Sequence, residues 1–176
     1  MSDNPPSKNI RRMIRVNQAG EYGAKRIYEG QLSVLKNTPT APIIQHMADQ
    51  EEEHLRLFSD MMIKRQVRPT ILSPFWHVGG FLLGAISARI STEAAMACTV
   101  AVEETIDNHY QNQLKELKHA PNEKVLQKAI SKCHEEELEH RDTGLEHKAE
   151  SMFGYRPFTA GVKCITKLAI KLSERI

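Results

Sequence analysis

Cysteine is scarce: Cys98, Cys133 and Cys164 lie far apart and form no C-x-x-C. This excludes a local zinc ribbon, a thioredoxin-type motif and a cysteine-held iron–sulfur cluster, and free thiols suit a reducing compartment. Proline (8) and glycine (9) are few, and β-branched runs are rare, which argues against an all-β chain. Neither sign of charge dominates. The 24 Lys and Arg face 22 Asp and Glu, a net charge of +2, so the basic excess of a dedicated nucleic-acid binder is missing. No Rossmann fingerprint or flavin motif is present. The polar start of the chain has no apolar h-region and little Arg before Arg11, so neither a secretory signal nor a transit peptide is expected. What is there suffices for one packed domain, 1–176: 176 residues, 40% of them hydrophobic.

Four stretches carry helical periodicity. The first, from about Ser7 to Lys36, has the inward stripe Ile10, Ile14, Asn17, Glu21, Ala24, Tyr28, Leu32, Leu35. The second opens near Thr40-Ala-Pro42, with the stripe Ile43, Met47, Glu51, His54, Phe58, Met61. The third opens at Ser91-Thr-Glu93 and shows Met96, Thr99, Glu103, Ile106, Tyr110, Leu114, Leu117. The fourth follows Pro121-Asn122 and closes near Gly154, with Leu126, Ile130, Cys133, Glu137, His140, Leu145. Short connections make the first and second, and the third and fourth, antiparallel pairs. A long connection joins the pairs, which is the order of an all-α, ferritin-like four-helix bundle.

Every stripe thus carries a carboxylate in the middle of an apolar face, and two also carry an imidazole. A lone buried carboxylate costs several kcal/mol unless it is paired, protonated or bound to metal. The stripes offer no Lys or Arg as partners. The halves also repeat. With Glu21 set on Glu103, Tyr28 falls on Tyr110, Gln31 on Gln113 and Leu32 on Leu114, and Glu51 and His54 fall on Glu137 and His140.

A single E-x-x-H is a weak signal, because this composition supplies about one copy by chance. The chain has three. Glu116/His119 sits off the apolar stripe at a helix end and reads as solvated. Glu51/His54 and Glu137/His140 lie on stripes in corresponding helices, each preceded by a lone stripe glutamate. A glutamate from each of two helices and an E-x-x-H from each of the other two form the di-iron carboxylate pattern. Four carboxylates neutralise two divalent ions, and mixed oxygen and imidazole ligation suits iron or manganese. The metal set read from the sequence is Glu21, Glu51, His54, Glu103, Glu137 and His140. Glu52, Glu53, Glu135, Glu136 and Glu139 read as a solvated acidic face. Tyr28 and Tyr110 read as core residues, with a role behind the ligands or in orienting substrate open for both, more so for Tyr110 beside His109. Gly20 and Gly23, in a run of small residues around Glu21, admit two readings: close helix packing, or access for a flat substrate.

Two segments point to a membrane surface. Residues 69–88, within the apolar crossover 66–90, hold no Lys, Arg, Asp or Glu. Pro69, Pro74, Gly79, Gly80 and Gly84 interrupt it, so a straight spanning helix is not expected; interfacial insertion and a buried crossover both fit. In the basic amphipathic helix 157–176, Phe158, Val162, Ile165, Leu168, Leu172 and Ile176 line one side, and Lys163, Lys167, Lys171 and Arg175 recur on the other. Such a helix can lie on anionic lipid or pack on the bundle with its charges in water.

The chain resembles the demethoxyubiquinone hydroxylase family. The motifs that carry the likeness are Asn17-Gln-Ala-Gly-Glu-Tyr-Gly-Ala24, Asp49-Gln-Glu-Glu-Glu-His54, Ala95-Met-Ala-Cys-Thr-Val-Ala-Val-Glu-Glu104 and Glu136-Glu-Leu-Glu-His-Arg-Asp142, with Arg68-Pro-Thr and Leu172-Ser-Glu-Arg-Ile176. The resemblance implies a di-iron monooxygenase that hydroxylates a polyprenyl quinol with O2. It implies Glu51 and Glu137 as bridging ligands, and in some members a lipid-binding partner protein. It also implies a peripheral place on the cytoplasmic side of the cell membrane, or on the matrix side of the inner mitochondrial membrane for a processed form. With no cofactor motif in the chain, two electrons are expected from a partner protein, from direct contact with NADH, or from the quinol itself. The rival readings are a rubrerythrin- or ferritin-like oxidase or peroxidase, and a non-enzymatic lipid-binding scaffold.

Overall fold

A computed structural model describes residues 6–175; residues 1–5 and Ile176, the last residue of the apolar side read for the C-terminal helix, lie outside the described residues. The described residues form helices and turns, with no strand.

Local chemistry sets the helix ends. Helix α1 (Lys8–Leu35) begins where the Ser7 hydroxyl accepts the Ile10 N–H at 3.3 Å, satisfying one of its orphan donors. Helix α2 (Ala41–Arg65) takes Pro42 in its first turn and stops where Gln66 turns left-handed, φ 52°, its N–H closing on the Met62 and Ile63 carbonyls. Helix α3 (Ser73–Ile90) is continuous, so the expected interruptions do not break it. Pro74 lies in the first turn, where its missing N–H costs nothing. Gly84 faces α1, where a Cβ would stand 1.9 Å from the Ile27 carbonyl oxygen. The residue that looks like a helix breaker is what lets α3 lie against the α1 backbone.

Helix α4 (Thr92–Leu117) starts at Ser91, whose hydroxyl accepts the Ala94 N–H at 3.0 Å. Its first-turn carboxylate, Glu93, is held below the usual carboxylate range by its own backbone N–H and the Ser91 hydroxyl. Helix α5 (Lys124–Glu146) ends earlier than the fourth stripe indicates, and a 3-10 turn, Ala149–Ser151, follows it. Gly144 rather than Leu145 is buried on its inner face, because a Cβ at 144 would meet the Val100 side chain at 2.7 Å. In α2 Ile44 is fully buried, and Ile43 is partly buried and packs against the same core. Helix α6 (Tyr155–Ser173) closes the described chain.

Helix α1 packs on α2, and α4 packs on α5, giving the ferritin-like bundle with one long crossover. Helix α3 lies along α1, and α6 lies along α4. Lys163 pairs with Glu104 across α6 and α4, and the Trp76 indole N–H donates to the Ser173 hydroxyl at 3.0 Å, joining α3 to α6. The apolar side expected of α6 is divided. Val162 is buried and Phe158 packs against the core, whereas Ile165 and Leu168 are more than half exposed. On α3, Phe75, Val78, Leu82 and Ile86 form an exposed row at helical spacing. No helix among the described residues is long and apolar enough to cross a membrane.

Candidate metal centre

Mid-helix positions on four helices bring six side chains to one place: Glu21 from α1, Glu51 and His54 from α2, Glu103 from α4, and Glu137 and His140 from α5. All are buried to 1% exposure or less. The i, i+3 spacing stacks each E-x-x-H pair on one face of its helix. His54 Nδ1 lies 3.3 Å from Glu137 Oε1, 3.5 Å from Glu21 Oε2 and 3.9 Å from Glu51 Oε2. His140 Nδ1 lies 3.1 Å from Glu137 Oε2 and 3.3 Å from Glu51 Oε1.

Donor atoms of Glu21, Glu51, His54 and Glu137 all lie within 4.8 Å of one another, as do those of Glu51, Glu103, Glu137 and His140. The two groups share Glu51 and Glu137. Buried oxygens Glu21 Oε2, both of Glu51, Glu103 Oε2 and Glu137 Oε1, together with His54 Nδ1, have no hydrogen-bond partner. Burying such atoms unpartnered is costly. Several orphaned anionic donors converging on two points fit a pair of divalent cations.

The remaining oxygens are held. Tyr28 donates to Glu103 Oε1 at 2.9 Å, and Tyr110 donates to Glu21 Oε1. Burial and the surrounding carboxylates raise both phenols, so both stay protonated as donors. The structure therefore brings Tyr110 onto the cluster. His109 stays outside it, 2.7 Å from Gln113, with burial and then Arg12 pushing its imidazole down to about 4. Glu116 and His119 are exposed, and Glu116 accepts from Asn9 at 2.8 Å, so the third E-x-x-H takes no part.

Two members of the supposed solvated face are not free in water. Glu52 pairs with Lys25. Glu136 turns one oxygen to His54 Nε2 at 2.6 Å and the other to Lys132 at 3.4 Å. Gln50 Oε1 takes the matching position on His140 Nε2, at 3.0 Å. Stripe reading does not find these two, because each lies beside a stripe on its own helix and meets a residue of the opposite one. Their equivalent places, just before Glu51 and Glu137, were the available signal.

Protonation and metal binding compete here. Burial, then Glu137, raises Glu51 and Glu103 well above the ordinary 4.5. Burial lowers His54, but the neighbouring Glu137 and Glu21 carboxylates outweigh it and raise it above 6.5; Glu137 raises His140 in the same way. Burial works against Glu137, but both imidazoles hold it low. The four raised groups stabilise the metal-free fold below their unfolded values, and that stability is lost as pH rises through the folded ones; the Glu137 contribution is lost only in acid. Bound cations need the carboxylates ionised. The rise in Tm on adding manganese should therefore grow as pH rises. Differential scanning fluorimetry measures it, and a rise that shrinks with pH would contradict this balance.

Residues 8–173 match the family described as ubiquinone biosynthesis protein COQ7. A Dictyostelium discoideum protein named NADPH-dependent 3-demethoxyubiquinone 3-hydroxylase, mitochondrial, is 53% identical over 95% of this chain and 77% of its own length. The human protein of the same name is 48% identical over 99% of this chain and 81% of its own. A Rhodospirillum rubrum protein named 3-demethoxyubiquinol 3-hydroxylase is 45% identical over 99% and 82%.

Proposed function

The chain belongs to the COQ7 family of ubiquinone biosynthesis proteins, and from that premise we propose that it adds a hydroxyl to a demethoxyubiquinol ring with O2, at two iron ions held by Glu21, Glu51, His54, Glu103, Glu137 and His140. It is an enzyme, a hydroxylase of ubiquinone biosynthesis acting on a demethoxyubiquinone, as its relatives are named. The peroxidase, ferritin-like and scaffold readings fall away with that family. The observation that supports the metal reading is the orphaned donor set with Glu51 and Glu137 common to both groups.

Bound iron would supply the redox chemistry that lets O2 react at a ring carbon. The chain's own residues do the rest. Tyr28 and Tyr110 each fix one carboxylate oxygen, leaving the orphaned Oε2 of Glu103 and of Glu21 for the ions. The apolar walls exclude water from the reacting atoms. In net terms a ring C–H and O2 become C–OH and water, with two electrons and two protons from outside. The names of several relatives assign NADPH to them, and a reduced pyridine nucleotide is the donor inferred here.

An apolar groove of about 220 Å³ between α1, α3, α4 and α6 receives the ring. Its lining includes Gly20, Gly23 and Ala24 around Glu21, and Val102 beside Glu103. A Cβ at Gly20 or Gly23 would meet nothing within 4 Å, which favours access over close packing for these two glycines. Trp76, Ile165 and Ile170 line it from α3 and α6. The exposed rows on those helices support a lipid surface next to the groove, and the side proposed is the cytoplasmic one of a bacterial membrane or the matrix one of a mitochondrial membrane. A lipid-binding partner protein, as the resemblance implies for some members, would meet the chain at that surface.

Because Val162 belongs to the core, deleting α6 would damage the fold, and point changes are the cleaner test. Replacing exposed Ile165 and Leu168 with Glu should cut sedimentation with anionic vesicles several-fold while Tm holds. Unchanged sedimentation would move the membrane contact to α3. For the reaction, turnover under 18O2 in ordinary water should give a quinol heavier by one labelled oxygen. Label arriving only from water would exclude a monooxygenase.

A further inference from the structure

The duplicated halves hold each other's ligands. Tyr28, from the first half, donates to Glu103 in the second; Tyr110, from the second, donates to Glu21 in the first. The same exchange holds for the imidazoles. His54 and His140 both turn Nδ1 inward to the carboxylates and Nε2 outward. Outside, His54 meets Glu136, the residue before Glu137, and His140 meets Gln50, the residue before Glu51. The two partners occupy equivalent places in the repeat, but one is a carboxylate and the other an amide.

That difference has chemical weight. An N–H donating to a carboxylate makes a shorter, stronger bond than one donating to a neutral amide, and the contacts here are 2.6 Å and 3.0 Å. Pulling on the Nε2 proton loads electron density onto the opposite nitrogen and raises its strength as a ligand. Glu136 is well placed for this: its side chain is 23% exposed, and its second oxygen is engaged by Lys132, itself half exposed. Lys132 orients the carboxylate, and solvent screens much of its charge.

Resting on the two-metal reading above, we infer that Glu136 and Gln50 are positioning residues that make the two metal positions unequal, with His54 the stronger imidazole donor of the pair. The rest of the two shells is closely matched: each has one glutamate held by a tyrosine and shares Glu51 and Glu137. A further chemical difference is Cys133, whose sulfur lies within 4.8 Å of the Glu21 and His54 donors, against Met47 at the equivalent place.

The test is Mössbauer spectroscopy of the whole chain loaded anaerobically with ferrous 57Fe, with total iron measured on the same sample. Wild type should hold about two irons per chain and show two quadrupole doublets. Glu136→Gln makes both partners amides and Gln50→Glu makes both carboxylates, so each should bring the doublets together. Combining the two changes should separate them again. Glu136→Gln should also weaken one of the two ferrous equivalents by roughly 10- to 100-fold, leaving the other in place. Cys133→Met should leave the doublets apart. A merely structural role would lower iron content without merging the spectra. Two irons in a single doublet in wild type, or doublets that stay apart in both single variants, would overturn the inference. So would doublets merged by Cys133→Met alone. Failure of wild type to take up two irons would sink the two-metal reading, and this inference with it.

Discussion

Glu137→Gln should take the iron content of the purified chain from about two per molecule to near zero and hydroxylation down by more than about a thousandfold, about 4 kcal/mol of barrier. The reason is position. Glu137 contacts Nδ1 of both His54 and His140 and belongs to both donor groups, so removing its charge weakens both metal positions at once. Glutamine keeps the volume, so the helices have no cavity to collapse into. The metal-free variant should still unfold cooperatively, but with a Tm below that of the metal-free parent, because both imidazoles lose their buried carboxylate partner. Glu116→Gln, in the exposed E-x-x-H, should change neither iron nor turnover. Iron analysis, steady-state turnover and circular dichroism on the two variants make the comparison. Full iron in Glu137→Gln would mean the ions sit elsewhere.

Gly20→Leu should lower kcat/KM for a tailed quinol by at least about tenfold while leaving iron content intact, a loss of about 1.4 kcal/mol or more in transition-state stabilisation. Gly20 lies mid-helix, where glycine is destabilising by roughly 0.5–1 kcal/mol relative to alanine. Its absent side chain leaves open space in the groove beside Glu21. A leucine there favours the helix and fills the groove, so stability should rise or hold as turnover falls. Gly20→Ala should stabilise the chain with little loss of rate. Loss of iron along with activity in Gly20→Leu would point to damage at the ligands instead of a blocked groove.

The ligand helices were legible because burying an acid on an apolar face is costly, and four such faces share one explanation. The repeat of Glu21, Tyr28, Glu51 and His54 in the second half added what one E-x-x-H could not. Helix α3 was not legible as a helix, since Pro74, Gly80 and Gly84 read as breakers; Pro74 in fact sits in the first turn, and close contact with α1 requires the two glycines. Helix α6 showed its amphipathic pattern, but not the division of its apolar side between the core, at Val162, and the surface, at Ile165 and Leu168. Leu145 failed as a core residue by one position, and Ile43 is only partly buried beside the fully buried Ile44, where a stripe drifts against the helical period. Glu136 was hidden for a different reason. Periodicity sorts the residues of one helix into faces, whereas its partner His54 stands on another helix.

The most direct measurement is an anomalous difference map at the iron edge from crystals of the chain loaded with ferrous iron. Two peaks should appear inside the bundle about 3.5–4 Å apart, one nearest His54 Nδ1 and the other nearest His140 Nδ1, both within reach of Glu51 and Glu137. A single peak, or peaks away from these six side chains, would contradict a two-iron centre built from the paired halves of this sequence.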